Sequence, residues 1–138
     1  MMERENERVV EAIVTAINHR DLDTVLDQVA DDVTASLSGF DEIVDKAGLS
    51  ECWAEWCIPF PDLSYRVDHM VSQGNTVVAE IIGTGTHEGV ILGIPATNKK
   101  VETREVWVFD FEDAKVKLWK EYYNIPGFAG AQFERLLR

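Results

Sequence analysis

The stretch Val101–Asn124, VETREVWVFDFEDAKVKLWKEYYN, constrains the fold of this chain more than any other. Val101–Phe111 and Lys115–Asn124 are dense in β-branched and aromatic residues, with Glu112-Asp113-Ala114 between them, so the stretch reads as two strands joined by a tight turn. A connection of this length most simply pairs Phe111 with Lys115. Counting outward sets Phe109 against Lys117, Trp107 against Trp119, Glu105 against Glu121 and Thr103 against Tyr123. Side chains alternate across a strand, so all of these share one face, an aromatic cluster with two carboxylates opposed. The other face carries Val106, Val108, Val116 and Leu118. A hairpin that is apolar on both faces must be covered twice, which places it in the middle of the fold.

The preceding chain supplies the cover. Residues 3–18 fit an amphipathic helix, with Val10, Ile13, Val14 and Ile17 on one face and Glu3, Arg4, Glu7, Arg8 and Glu11 on the other. Asp21 is an N-cap for a short second helix carrying Leu22, Val25, Leu26 and Val29. Val33–Leu37 reads as a short strand. A third helix is expected over roughly 40–57, with Ile43, Val44, Ala47, Trp53 and Trp56 buried and Gly48 as a weak point. Pro59-Phe60-Pro61-Asp62 then turns the chain. Leu63–Val71 and Val77–His87 alternate as two more strands, in a register that opposes Tyr65 to Ile81 and His69 to Val77. Gly89–Lys100 is a loop, and Gly127 onward suggests a C-terminal helix with Phe128, Phe133 and Leu136. Helices followed by a meander, not alternating with strands, predict an α+β fold in which three N-terminal helices cover one face of a bent sheet. Between a helix layer and a curved sheet lies a concave cavity, the natural place for a ligand.

At 138 residues the chain is read as one domain, 1–138, large enough to bury a core. Twenty-five acidic residues against thirteen basic ones give a net charge of −12, which argues against nucleic acid and anionic membrane as partners. The charged start, MMERENERVV, is not a secretory signal, and no apolar run approaches a bilayer span; the expected location is the cytoplasm. Cys52 and Cys57 are the only cysteines and lie five apart on a helix, so they read as buried thiols and no metal site is expected.

Four segments carry a family resemblance: Phe60-Pro61-Asp62-Leu63, Gly83-Thr84-Gly85-Thr86-His87-Glu88-Gly89, Gly93 through Val101, and Trp119–Asn124. In this order the chain resembles SnoaL-like proteins of the nuclear transport factor 2-like superfamily, which also includes limonene epoxide hydrolase, ketosteroid isomerase and scytalone dehydratase. The resemblance implies a cone-shaped α+β barrel with the helices on its concave face, one deep apolar pocket, and a homodimer through the outer sheet face. It also implies a catalytic acid on the last strand, which maps onto Glu121. Departures accompany it. SnoaL-type cyclases place histidines where this chain has Trp107 and Trp119. The epoxide hydrolase has Arg and Asp at Ile81 and Gly83, and its water-positioning Tyr and Asn near Ala35 and Leu37. The last strand's usual final Asp is Asn124. Epoxide hydrolysis by that residue set is not expected.

The candidate chemistry rests on Glu121 and Glu105. Directly opposed residues have Cβ atoms about 4.5–5.5 Å apart. Two carboxylates at that range in an apolar pocket share a proton, and one pKa rises. A carboxylic acid held neutral near pH 7 serves as a general acid or as a donor to a carbonyl. The competing reading puts one of them at the rim, bonded to water, Arg104 or Lys117. His87 is a candidate pocket base by strand parity, or else a structural histidine bonding the following loop. Tyr65, Trp53, Trp56, Ile81, Trp107, Trp119 and Tyr123 are candidate ligand-binding walls for a flat, apolar or aromatic molecule. Gly83 and Gly85 leave room beside them. The sequence holds no phosphate loop, nucleotide fingerprint or Ser/Cys nucleophile motif, so no cofactor is expected. Two functions fit: a cofactor-independent cyclase, isomerase or lyase acting on an apolar carbonyl compound, or a non-catalytic ligand-binding or dimerisation module.

Overall fold

The computed structural model describes residues 2–37, 42–43, 45–91 and 93–124, with Leu37 and Asn124 given by their backbone alone. Helix α1 (Met2–Asn18) buries the anticipated stripe of Val10, Ile13, Val14 and Ile17, together with Ala16 and Asn6. Helix α2 (Leu22–Asp27) is capped by Asp21, whose carboxylate accepts the Thr24 N–H at 3.2 Å and the Thr24 hydroxyl at 2.6 Å. Strand β1 (Val29–Leu37) begins four residues earlier than the sequence suggested. Helix α3 (Lys46–Cys57) starts later than expected, because Asp45 is its cap and accepts the Gly48 N–H at 2.8 Å. Ile43 is not helical. It forms a two-bond bridge to Ala35, each bond 2.8 Å long. Gly48 is therefore no break in the helix: a Cβ there would lie 2.9 Å from Ile43 Cγ2, and glycine lets Ile43 rest on the first helical turn. Ala47, expected inside, is exposed. The expected C-terminal helix lies outside the described residues, as does Val44.

Strands β2 (Ser64–Gln73), β3 (Thr76–Thr86), β4 (Lys100–Glu112) and β5 (Lys115–Asn124) complete one curved sheet in the order β1-β5-β4-β3-β2. Four strands form the expected antiparallel meander, and β1 adds to it in parallel beside β5. Helix α1 packs on β2 and β3, and α3 on β1. The main core joins the helical stripe to Val29, Val33, Ala35, Val77, Ala79, Ile81, Trp107, Phe109, Val116 and Trp119. Among the described residues no helix is long and apolar enough to cross a membrane.

Both hairpins depart from the counted register in the same way. The β4–β5 connection has two residues, Asp113 and Ala114, at φ of 51° and 63°. Positive φ at both positions is the geometry whose twist matches a hairpin. The ladder starts as Glu112 with Lys115 and Phe111 with Val116, then jumps to Asp110 with Leu118, leaving Lys117 as a bulge. Beyond the bulge Phe109 opposes Trp119, Trp107 opposes Glu121 and Glu105 opposes Tyr123. The anticipated partners are thus displaced by two residues, an even number, so the predicted face survives while the predicted pairs do not. Before the bulge the parity is reversed: Val116, assigned to the outer face, is fully buried inside. The β2–β3 hairpin repeats the device, with a turn at Gly74-Asn75 and a bulge at Asp68. Tyr65 therefore opposes Gly83 instead of Ile81, and His69 and Val71 turn outward.

Ala114 is an L-residue held in left-handed conformation, a strain of roughly 1–2 kcal/mol. Ala114→Gly should relieve it and raise stability by about 1 kcal/mol in urea unfolding. A variant equal to or weaker than the parent would contradict the turn geometry.

Candidate functional site

The inner faces of β3, β4 and β5 and the helices α1, α2 and α3 line a cavity of about 70 Å³ that opens to solvent. Its floor follows from the alternation of the strands. On β4 the inward residues are Thr103, Glu105 and Trp107, and on β5 they are Trp119, Glu121 and Tyr123. Small residues on β3 leave the space: Gly83 is registered with Thr103 on one side and Tyr65 on the other. A Cβ on Gly83 would come within 2.5 Å of Thr103 Oγ1, 2.8 Å of Tyr65 Cε1 and 3.0 Å of Glu105 Oε2. The roof comes from the helices, with Ile17, Leu22, Val25, Leu49, Trp53 and Trp56.

Of the residues expected at the site, Tyr65, Trp53, Trp56, Trp107, Trp119 and Tyr123 line this cavity, as do Glu105 and Glu121. Two do not. Ile81, 1% exposed, belongs to the main core, because the β2–β3 register gives Gly83 the place beside Tyr65. His87, also buried, is turned to the loop that follows β3. Its Nδ1 lies 3.0 Å from Thr97 Oγ1, its N–H bonds Lys99 O and its carbonyl accepts the Asn98 N–H. Its ring packs on Phe60 at 5.6 Å. His87 thus holds the loop against the cavity wall, and the structural alternative describes it. Two participants were not among the expected site residues. Thr103 was placed on this face by parity, and its hydrogen bond to Glu105 follows from that placement. In the sequence Asn18 is only the last residue of the first helix, yet its side chain both donates to Tyr65 O and accepts from Tyr65 N, each at 2.7 Å. It thereby fixes the strand segment that carries the Tyr65 ring, a pairing across the fold that local sequence cannot reveal.

The two carboxylates are diagonal neighbours, not directly opposed, since Glu105 faces Tyr123 and Glu121 faces Trp107. Glu105 is 6% exposed, and both its oxygens are engaged: Oε2 accepts from Thr103 Oγ1 at 2.6 Å and Oε1 from Trp107 Nε1 at 2.9 Å. Burial raises its pKa, and these two donors oppose the rise. Glu121 keeps partial accessibility through the cavity it lines. Its pKa stands well above the carboxylate range, from burial first and the neighbouring Glu105 charge second. The Trp119 indole opposes that shift without reaching hydrogen-bond geometry. Both acids are shifted upward; Glu105 has two donors that favour its charged form, and Glu121 is driven further toward the protonated form. Burial followed by the same acidic pair raises Tyr65 and Tyr123, keeping both phenols protonated. The Cys52 thiol is pushed up to about 12 by burial, with Glu121 and Glu55 adding to it, so it is not a nucleophile. Among the described residues no group of three or more His, Cys, Asp or Glu is placed to hold a metal ion.

A helix-roofed, curved sheet around an aromatic cavity with two buried carboxyls defines a cone-shaped α+β domain. The chain belongs to the SnoaL-like polyketide cyclase family, whose model matches residues 7–128. Among solved structures it is similar to AclR, a candidate hydroxylase of Streptomyces galilaeus, at 22% identity and a TM-score of 0.82 over 94% of this chain and 85% of that one. A candidate SnoaL-like polyketide cyclase from Jannaschia sp. CCS1 gives 17% identity and 0.85 over 95% and 91%. An LEH-like epoxide hydrolase of M. tuberculosis gives 20% and 0.72 over 90% and 86%. At these identities the likeness establishes the fold, which hosts different chemistries. No relative was found among curated protein sequences.

Gly83→Ala tests the packing under Glu105. The added methyl has to displace Thr103 or Tyr65, and a cost of about 1–3 kcal/mol in chemical denaturation is expected. An unchanged midpoint would show that the three side chains are not held as described.

Proposed function

We propose that this protein binds an uncharged, largely apolar carbonyl compound and catalyses proton transfer on it without a cofactor. The observation that carries the reading is the difference between the buried acids: Glu105 held by two donors, Glu121 facing the cavity with its pKa driven upward by burial and by Glu105. Glu121 is the acid that hydrogen-bonds the carbonyl oxygen, and after losing its proton the base that accepts one from the adjacent carbon. Glu105 is the modulator whose charge keeps the resting proton on Glu121. Thr103 and Trp107 hold Glu105, and Asn18 positions Tyr65. Ring closure of a polyketide or ester, isomerisation and elimination all need this step. His87 has no part in it. The second reading, a ligand-binding or dimerisation module, is favoured by one observation: at Trp107 and Trp119, where the resemblance places histidines, indoles stand instead.

Replacing Glu121 by Gln separates the readings. A carboxyl whose folded pKa exceeds its unfolded value near 4.5 holds a proton that the unfolded chain has lost, so it costs stability as pH rises through that interval. The penalty reaches at most about 1.4 kcal/mol per pH unit. Glu121→Gln should therefore match the parent near pH 4.5 and exceed it increasingly toward pH 8 in thermal melts. Deuterium exchange at the carbon next to the carbonyl of 1-indanone, accelerated by the parent, should be lost in the variant. A variant weaker at pH 8, with a parent that accelerates no exchange, would leave the module reading.

The expected assembly is a twofold dimer through the outer sheet face, in the cytoplasm. Val106 is 37% exposed there and Tyr122 52%, with Val108 and Leu118 half-buried beside them. Val116 does not contribute. Light scattering at micromolar concentration should give twice 15.6 kDa. A monomer would remove the interface.

A further inference from the structure

Indole and phenol side chains that are buried usually find a hydrogen-bond partner. In this cavity the two tryptophans of the floor behave differently. Trp107 donates to Glu105. Trp119, only 3% exposed and 5.7 Å from Trp107 between ring centroids, has no partner for its buried Nε1 among the described residues. The buried hydroxyl of Tyr123, two positions beyond Glu121 on the same strand face, has none either. Glu105 already accepts from Thr103 and Trp107, and the Glu121 carboxyl, whose charged form the Trp119 indole favours, lies short of hydrogen-bond geometry to it. A ring at position 119 that only packed would be better supplied by a phenylalanine, as Phe109 beside it shows at 5.0 Å. An indole N–H has no lone pair, so what it faces has to be an acceptor. An anionic acceptor is disfavoured by the Glu105 charge in the same cavity.

We propose that the Trp119 N–H, with the Tyr123 hydroxyl as a second donor, binds an oxygen acceptor of the ligand. This makes Trp119 a specificity-determining residue, and the occupant an uncharged molecule with an accessible carbonyl or ether oxygen. The inference rests on the cavity being a small-molecule site and not on the catalytic role of Glu121.

The test is equilibrium dialysis of 1-indanone and of indane, two rings of the same shape with and without a carbonyl oxygen. Trp119→Phe keeps the aromatic wall and deletes the N–H. The ratio of ketone to hydrocarbon affinity should fall about fivefold, the worth of one net hydrogen bond, with indane binding unchanged. Tyr123→Phe should lower the same ratio. Equal weakening of both ligands, or an unchanged ratio, would mean that Trp119 only packs, and an unchanged ratio in Tyr123→Phe would remove Tyr123. A measurement on the parent avoids any folding defect of the variants: the Trp119 indole proton resonance should move downfield with 1-indanone and not with indane, and no difference between the two ligands would overturn the proposal. Glu121→Gln should keep the dependence on Trp119 while losing deuterium exchange. Failure of the catalytic reading is thereby distinguished from failure of this one.

Discussion

Lys117 is one residue more than the ladder between β4 and β5 can pair, and the cavity exists because the chain absorbs it there. A two-residue turn with both φ values positive starts the hairpin in a parity that buries Val116 with Phe111. If that parity continued, the side chains that follow on β5 would exchange faces, sending Trp119, Glu121 and Tyr123 to the outer side. The bulge reverses the parity once. Below it, the inward residues fill the main core. Above it, they form a floor for small molecules. The matching bulge at Asp68 lets Tyr65 and Val67 face inward while the lower half of β2 buries Met70 and Ser72 by halves. Bulges also bend a sheet, so the irregularities that set the faces contribute the curvature that makes room for a ligand.

Within that frame the electrostatics follow from what each acid can reach. An ionised carboxylate away from water needs donors. Glu105 has them because Thr103 and Trp107 flank it at i−2 and i+2 on its own strand, all three facing inward. Glu121 has no comparable pair, and it feels the charge of Glu105 as well. Two identical functional groups on neighbouring strands thereby meet different environments, one supplied with donors and the other not, the condition that separates an acid from a base. The space for this arrangement is made by an absent side chain, at Gly83, where any Cβ would collide with the Thr103–Glu105–Tyr65 group.

The aromatic wall is continuous with the core packing. Trp107, Phe109 and Trp119 form a tilted and edge-on cluster continuous with the main core, and Tyr65 meets Trp107 edge-on at 5.0 Å. Ala35, registered with Trp119 across the parallel β1–β5 pair, gives the indole room. Trp53 and Trp56 on α3 are half-buried and line the cavity. The protein thus places rigid, amphipathic rings where one edge packs and the other is available to a ligand.

Local pattern determined a great deal. The 3.6-residue stripe of α1, the Asp21 cap and the four strands of the meander were legible because each is a property of neighbouring residues. Strand parity alone put Trp107, Trp119, Glu105, Glu121 and Thr103 on one face. What parity cannot contain is an extra residue inside a strand. The bulges at Asp68 and Lys117 arise from the fit between turn twist and the sheet, and they changed every cross-strand partner while keeping the inner faces. The tertiary structure likewise decided that β1 joins the sheet in parallel, that Ile43 bridges Ala35, that Asn18 grips Tyr65, and that His87 turns to Thr97 instead of the cavity. Each of these is a contact between segments distant in the chain, set by which hydrogen-bonding groups remain unpaired once the core has closed.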